Sequence, residues 1–311
     1  MVWEEWMHEC LKGVAVPFSY FSTPEKRVFL PYLFCSLPLA FWVYRKKSRA
    51  RSFWSYLFAR KVWLGSSAKV DYGFFLLNGV VKVLLIGPFL SYGVVLAFWI
   101  NQLLVAQWGR VDTGLSATDT VLYYTLFITL FGDFSSYLVH RLMHELPILW
   151  QFHKTHHSAT TLNPITQYRI HPVELVLNNM RGAFVFGFCT GIFDYLSHER
   201  VSMLTFIGVN VFTFAFFTFG ANLRHSHVAF RYWGPLERVL ISPYQHQIHH
   251  SDAPEHHGKN LGAKFAVWDA LFGTLLCSTE VEGVRFGLGR DGAERNSFLE
   301  NLFLLPWSRS L

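Results

Sequence analysis

Stretches without a charged residue constrain this 311-residue chain more than any other feature. Residues 28–44 (VFLPYLFCSLPLAFWVY) run uncharged between Arg27 and Arg45, close to the lower limit of the roughly 17–25 residues a membrane-spanning helix needs. Residues 83–105 form a second run, with Pro88 as the expected kink, and 119–139 a third, opening on Asp119 and interrupted by Asp133. Residues 175–196 hold only Arg181 and Asp194, and 201–223 hold no charge. The short connection 197–200 predicts that these last two form a helical hairpin. Charged residues make up only 15% of the chain and aromatics 18%, against roughly 25% charged in soluble domains. That composition excludes a disordered chain, a coiled coil and a disulfide-rich scaffold. The four cysteines, Cys10, Cys35, Cys189 and Cys277, have no CxxC spacing, so neither a zinc ribbon nor a redox pair is indicated. The expectation is an all-α integral membrane protein with about four or five transmembrane helices or half-helices.

The formal charge of +6 would suggest nucleic acid if it were spread over a surface. It is not. Arg45, Lys46, Lys47, Arg49, Arg51, Arg60 and Lys61 place seven positive charges, and no acid, in residues 45–61; the rest carries 20 positive and 21 negative charges. A short basic loop beside an apolar run is retained in the cytosol, so it serves as an orientation marker, and no nucleic-acid partner is expected. If 72–108 crosses once, the third run emerges in the cytosol at His140 and every histidine group shares that face. If 72–108 is a two-pass hairpin, the histidines lie on the far side. The single crossing is the preferred reading.

Fourteen of the fifteen histidines lie between His140 and His257. His140 and His144 are spaced i, i+4; His153, His156 and His157 are spaced i, i+3, i+4; His246, His249 and His250 repeat that spacing. On helices these offsets bring each group's imidazoles to one face, able to converge on a metal. Imidazole suits Zn, Cu, Fe and Ni, and eight candidates exceed what one such ion takes, so two metals are the economical reading. The donor type does not separate iron from zinc. His225 and His227, two apart, cannot point the same way on a helix, so at most one is a natural ligand. His171, His256 and His257 stay open, while His8 and His198 are read as lying outside any site. Asp133, Tyr137, His140 and His144 form one helical stripe. An aspartate in an apolar helix is costly and usually functional, so Asp133 is expected behind the ligands, accepting an imidazole N–H or anchoring Arg141 or Arg169. His144-Glu145 and His198-Glu199 do not complete HExxH, and no GxSxG elbow, P-loop or GxGxxG stands in the right context.

Taken in order, HRLMH at 140–144, HKTHHS at 153–158, RIHPVE at 169–174, RHSHV at 224–228, SPYQHQIHHS at 242–251 and KNLGAKFAVWDALFGTLL at 259–276 resemble the fatty acid hydroxylase/sterol desaturase superfamily of membrane-bound di-iron oxidases. The resemblance covers 119–276, leaving 1–118 as an N-terminal membrane region containing the basic loop 45–61, and 277–311 as a C-terminal tail. It implies metal ligation by His140, His144, His153, His156, His157, His225, His246, His249 and His250. It also implies a histidine-rich di-metal cap on the cytosolic side, and Asn260 and the WDALFGT segment (268–274) packing around the site. It further implies two Fe ions (with Zn as a substitute in purified samples), O2 as co-substrate, and hydroxylation of a sterol or fatty-acyl lipid at one C–H bond. Desaturation of the same lipids is the alternative, and a non-catalytic metal-binding membrane scaffold is the reading from a different class. No haem or flavin domain is evident in the sequence, so electrons are expected from a separate cytochrome b5-like protein, ferredoxin or reductase. The expected location is multi-pass in a bacterial inner membrane or the endoplasmic reticulum.

Overall fold

Proline, glycine and small polar residues set the helix limits in the computed structural model, which describes all residues except 1, 49, 51, 90, 198, 290–296 and 304–311. The described helices are α1 (Val2–Ser19), α2 (Leu30–Lys47), α3 (Phe53–Leu57), α4 (Arg60–Leu64), α5 (Ser66–Val81), α6 (Tyr92–Trp108), α7 (Ala117–Glu145), α8 (Pro147–His157), α9 (Pro172–Leu196), α10 (Val211–Thr218), α11 (Pro243–His249), α12 (Val267–Leu271) and α13 (Phe298–Phe303). One small antiparallel hairpin, β1 (Thr205–Phe206) with β2 (Val209–Asn210), departs from the all-α expectation.

The longest helix carries the chain to the histidines. The Ser116 side chain caps the first turn of α7 by accepting from Asp119 N at 3.2 Å, and after 29 helical residues Leu146 turns extended (ψ 118°) before Pro147. A residue before proline avoids the helical region, and proline starts a helix well, so the chain folds back directly into α8. His140 and His144 are thereby set against His153 and His157.

Among the described residues one helix, Pro172–Leu196, is long and apolar enough to cross a membrane; Tyr92–Trp108 is apolar but shorter. The two helices pack closely because glycine lines the contact. A Cβ at Gly187 would lie 2.6 Å from Gly93 O and 2.8 Å from Leu96 Cβ, and one at Gly191 would lie 2.6 Å from Ala97 O. Small residues let helix backbones approach where the surroundings are apolar.

Two of the expected apolar segments are built differently. The run 83–105 is not one helix: α5 ends at Val81, a π-turn (Lys82–Ile86) and a 3-10 turn (Gly87–Phe89) intervene, and α6 begins at Tyr92. Pro88 lacks the N–H an α-helix uses, which explains an interruption there. α5 packs on α1 while α6 packs on α9, so the break also changes partners. Residues 201–223 do not mirror 175–196 as a helical hairpin. They form the β1–β2 turn, the eight-residue α10, and a 3-10 turn (Ala221–His225) entered through left-handed Gly220 (φ 93°). Apolarity predicted burial or lipid contact but could not reveal this change of backbone. His198 and its expected position, with Arg49 and Arg51, lie outside the described residues.

Substituting Gly187→Val should cost about 1–3 kcal/mol by overpacking the α6–α9 contact. Gly182→Ala, where nothing lies within 4 Å of the added carbon, should leave stability unchanged or slightly raised. Thermal unfolding in detergent measures both, and equal shifts would contradict the close-packing account.

Candidate metal centre

All nine histidines expected as ligands come together, in two groups. His140, His144, His153, His157 and His249 form one; His156, His225, His246 and His250 form the other, with the candidate ligand atoms of each group within 4.8 Å of one another. The groups adjoin, since the His157 and His250 rings stack at 4.6 Å. The sequence groups do not stay together. His153 and His157 go to one cluster and His156 to the other; His246 and His250 go to one and His249 to the other. At about 100° per residue, positions i+3 and i+4 point to opposite sides of position i, so a helix run of this spacing serves two centres at once.

Hydrogen bonds fix most of the rings. His140 Nδ1 donates to Leu261 O at 2.7 Å, His156 Nδ1 to Arg169 O at 3.2 Å, and His249 Nδ1 to Lys259 O at 2.8 Å. Carbonyls only accept, so each of these Nδ1 atoms carries the proton and Nε2 keeps its lone pair. Glu174 Oε1 plays the same part for His153 Nδ1 at 3.0 Å. The freed Nε2 atoms then face one another: His140 and His153 at 3.1 Å. The Nε2 atoms of His144 and His249 are buried without any partner. Opposed lone pairs and orphaned buried acceptors are unfavourable unless a cation lies between them, so the donor set fits metal ions. His246 is held with opposite polarity. Arg224 Nη2 donates to its Nδ1 at 2.9 Å, while the same guanidinium donates to Gly262 O and Ala263 O.

Burial keeps the imidazoles neutral. It lowers His153 and His156 to about 3, and pushes His157, His225, His246, His249 and His250 well below the ordinary histidine value, with neighbouring imidazoles adding to the effect. Neutral imidazole is the form that binds metal.

A frame of buried charges positions the rings. Asp133 contacts neither an imidazole nor Arg141 or Arg169, in contrast to the expectation. Its carboxylate accepts from Lys264 N (3.0 Å), Phe265 N (3.1 Å) and Trp268 Nε1 (3.0 Å), holding the segment whose Leu261 carbonyl orients His140. The stripe from Asp133 to His144 was legible, but its long-range partner was not. Asn260, in the left-handed conformation (φ 54°), donates to Gln245 O and accepts from Leu276 N, tying the same segment to α11. Arg169 is fully buried, pairs with Asp71 at 3.2 Å, and donates to Thr155 O and Ser158 Oγ at the end of α8.

Sequence reasoning did not assign roles to Glu174 or Asp269. Asp269 accepts from Leu261 N and Gly262 N, both at 2.8 Å. Each is an acid within an apolar stretch, the signal that drew attention to Asp133. The histidines left open lie outside both groups. His171 caps α9, its Nδ1 accepting from Val173 N, and its Nε2 reaches Leu302 O. His227 bonds Tyr56 O at 2.8 Å. His256 is buried and His257 exposed, and neither joins a cluster. The His227–Tyr56 contact also brings the basic segment 45–61 beside the centre.

The lowered values carry a pH dependence. A histidine near 3 when folded and about 6.5 when unfolded gives its full contribution above pH 6.5 and loses it as pH falls, at up to about 1.4 kcal/mol per unit. Metal-free protein should therefore melt at progressively lower temperature below about pH 6.5. A melting temperature that stays constant down to about pH 5 would contradict the neutral, desolvated cluster.

Residues 125–274 match the fatty acid hydroxylase family. An ornithine lipid hydroxylase of Rhizobium tropici is 30% identical over 178 residues, covering 57% of this chain and 48% of that protein. An alkylglycerol monooxygenase of Xenopus tropicalis is 30% identical over 166 residues, covering 53% of this chain and 33% of its own length. A very-long-chain aldehyde decarbonylase of Arabidopsis thaliana is 25% identical over 169 residues, 52% of this chain and 25% of that one. The chain thus spans about half or less of the length of these relatives, and no solved structure matches it. The matched segment contains every histidine of both clusters, and over residues 125–274 the chain belongs to the fatty acid hydroxylase/sterol desaturase superfamily.

Proposed function

We propose that this chain is a multi-pass membrane oxygenase that holds two iron ions and hydroxylates a C–H bond of a sterol or fatty-acyl lipid, using O2 and two electrons. The opposed lone pairs of His140 and His153 and the orphaned Nε2 atoms of His144 and His249 carry the reading, because neutral acceptors arranged in this way are satisfied by cations. Imidazole alone suits zinc as well as iron, and the hydroxylases and monooxygenases among the relatives favour iron. When bound, an iron pair reduced by two electrons supplies O2 activation strong enough to attack an unactivated C–H bond.

The chain's own residues do the rest. His140, His144, His153, His157 and His249 would hold one ion, and His156, His225, His246 and His250 the other. Glu174 and the carbonyls of Leu261, Arg169 and Lys259 keep the imidazole protons on Nδ1 and the lone pairs directed inward. Burial of the rings excludes water that would divert a reactive oxidant.

A membrane setting is supported by the exposed apolar side chains of α6 and α9, among them Val95, Phe98, Trp99, Met180 and Phe184. On this reading α2, α6, residues 119–139 of α7 and α9 lie in the bilayer, in a bacterial inner membrane or the endoplasmic reticulum. The exposed Arg45, Lys46, Arg60 and Lys61, on the segment that His227 contacts, support a cytosolic side for the centre. Residues 119–276 act as the catalytic unit, 1–118 as membrane support, and 277–311 as a tail whose α13 braces α8 through Asn301. A separate cytochrome b5-like protein, ferredoxin or reductase supplies electrons.

Lipid analysis of cells with and without the gene, grown under 18O2, tests the proposal. Label incorporated into one lipid class supports hydroxylation. An unlabelled product with one more double bond would instead establish desaturation, and unchanged lipids with iron-free protein would leave a metal-binding scaffold. His156→Ala should abolish iron binding at its cluster, and Glu174→Gln should weaken metal affinity about 10–100-fold. Unaltered iron content and affinity in both variants would reject these histidines as ligands.

A further inference from the structure

One cavity, about 810 Å³, is lined by Ile86, Trp99 and Met180 on the side of α9 roughly opposite Glu174, so it faces away from the histidines. A smaller cavity of about 430 Å³ stands against the centre. Its walls are apolar, including Leu39, Phe212, Phe216 and Phe230, and its one charged side chain is Lys264. Phe216 separates it from Arg224, whose guanidinium lies 5.5 Å from the Phe216 ring and hydrogen-bonds His246. Its floor belongs to the segment that orients His140.

The charges around this cavity do not balance. Lys264 Nζ makes only a long ion pair with Asp133, at 3.8 Å, and the Asp133 oxygens already accept from Lys264 N, Phe265 N and Trp268 Nε1. Arg27, Arg181 and Arg224 also bear electrostatically on Lys264, and each is a further cation. Asp269 is near Arg224, but its oxygens accept from Leu261, Gly262 and Thr274. Arg27 lies over Phe217 at 5.9 Å and has no hydrogen bond or ion pair among the described residues. Burial lowers both Lys264 and Arg27 from their ordinary values, yet both keep some accessible surface. Lys264 lines the cavity, whereas Arg27 lies outside its lining and acts on Lys264 electrostatically. A desolvated cation whose only acid is distant and already shared is poorly compensated, and an incoming anion relieves that cost.

We propose that this cavity binds the acidic headgroup, carboxylate or phosphate, of an amphiphilic lipid, with Lys264 as its partner, Arg27 adding positive potential from outside the lining, and the phenylalanines holding the adjoining chain. This names an acidic lipid as the substrate class of the proposed oxygenase and rests on that reading, although the binding event itself needs no metal.

Calorimetric titration of the purified full chain in neutral detergent with hexadecanoate, hexadecyl phosphate and hexadecan-1-ol tests it. At least one of the two acids should bind roughly tenfold or more tightly than the alcohol, the size of a charge-assisted hydrogen bond. The tighter acid identifies the headgroup. Lys264→Gln should remove about tenfold of the preference and Lys264→Arg should retain most of it. Equal binding of all three by the unaltered protein overturns the proposal, as does a preference that survives intact in both Lys264→Gln and Arg27→Gln. Iron measured in the same samples separates the two readings: acid preference without iron defeats the oxygenase and leaves the anion site standing.

Discussion

Nine clustered imidazoles, four of them (His140, His153, His156 and His249) held with Nε2 lone pairs directed inward, set the terms for the rest of this structure. Water cannot satisfy them, and protonation is opposed by burial and by each ring's neighbours. The rings can stay only if their other nitrogens are held, so acceptors must be brought to them from distant parts of the chain. The carbonyls of Leu261, Arg169 and Lys259 and the carboxylate of Glu174 meet that need.

Those acceptors are themselves fixed by buried charge. Asp133 and Asp269 grip successive backbone N–H groups between Leu261 and Phe265, and Asn260 locks the start of the segment in a left-handed turn. Asp71 and Arg169 clamp the end of α8 from the opposite side. A buried ion pair of this kind contributes little net stability, but its hydrogen bonds define one geometry. Metal chemistry needs that definition, because ligands that can relax outward lose both affinity and selectivity.

The histidine spacings, the apolar helices α2 and α9 and the importance of Asp133 were all legible from local pattern. Local pattern did not reveal the break at 82–91 or the short α10 and β-hairpin that replace a helix over 201–223, because apolarity reports the surroundings of a segment rather than its backbone path. Glu174 and Asp269 carried a signal, an acid in an apolar stretch, but their partners lie far away in sequence or across the site.

The sequence by itself determined which imidazoles could face inward, since helical periodicity is a local property of the backbone. Only the tertiary structure decided how they divide. His156 parts from His153 and His157, and His249 from His246 and His250, because a second helix or turn approaches each side of the same run. Tertiary packing also chose which nitrogen of each ring is free, through carbonyls and carboxylates that meet the imidazoles only once distant segments have folded together.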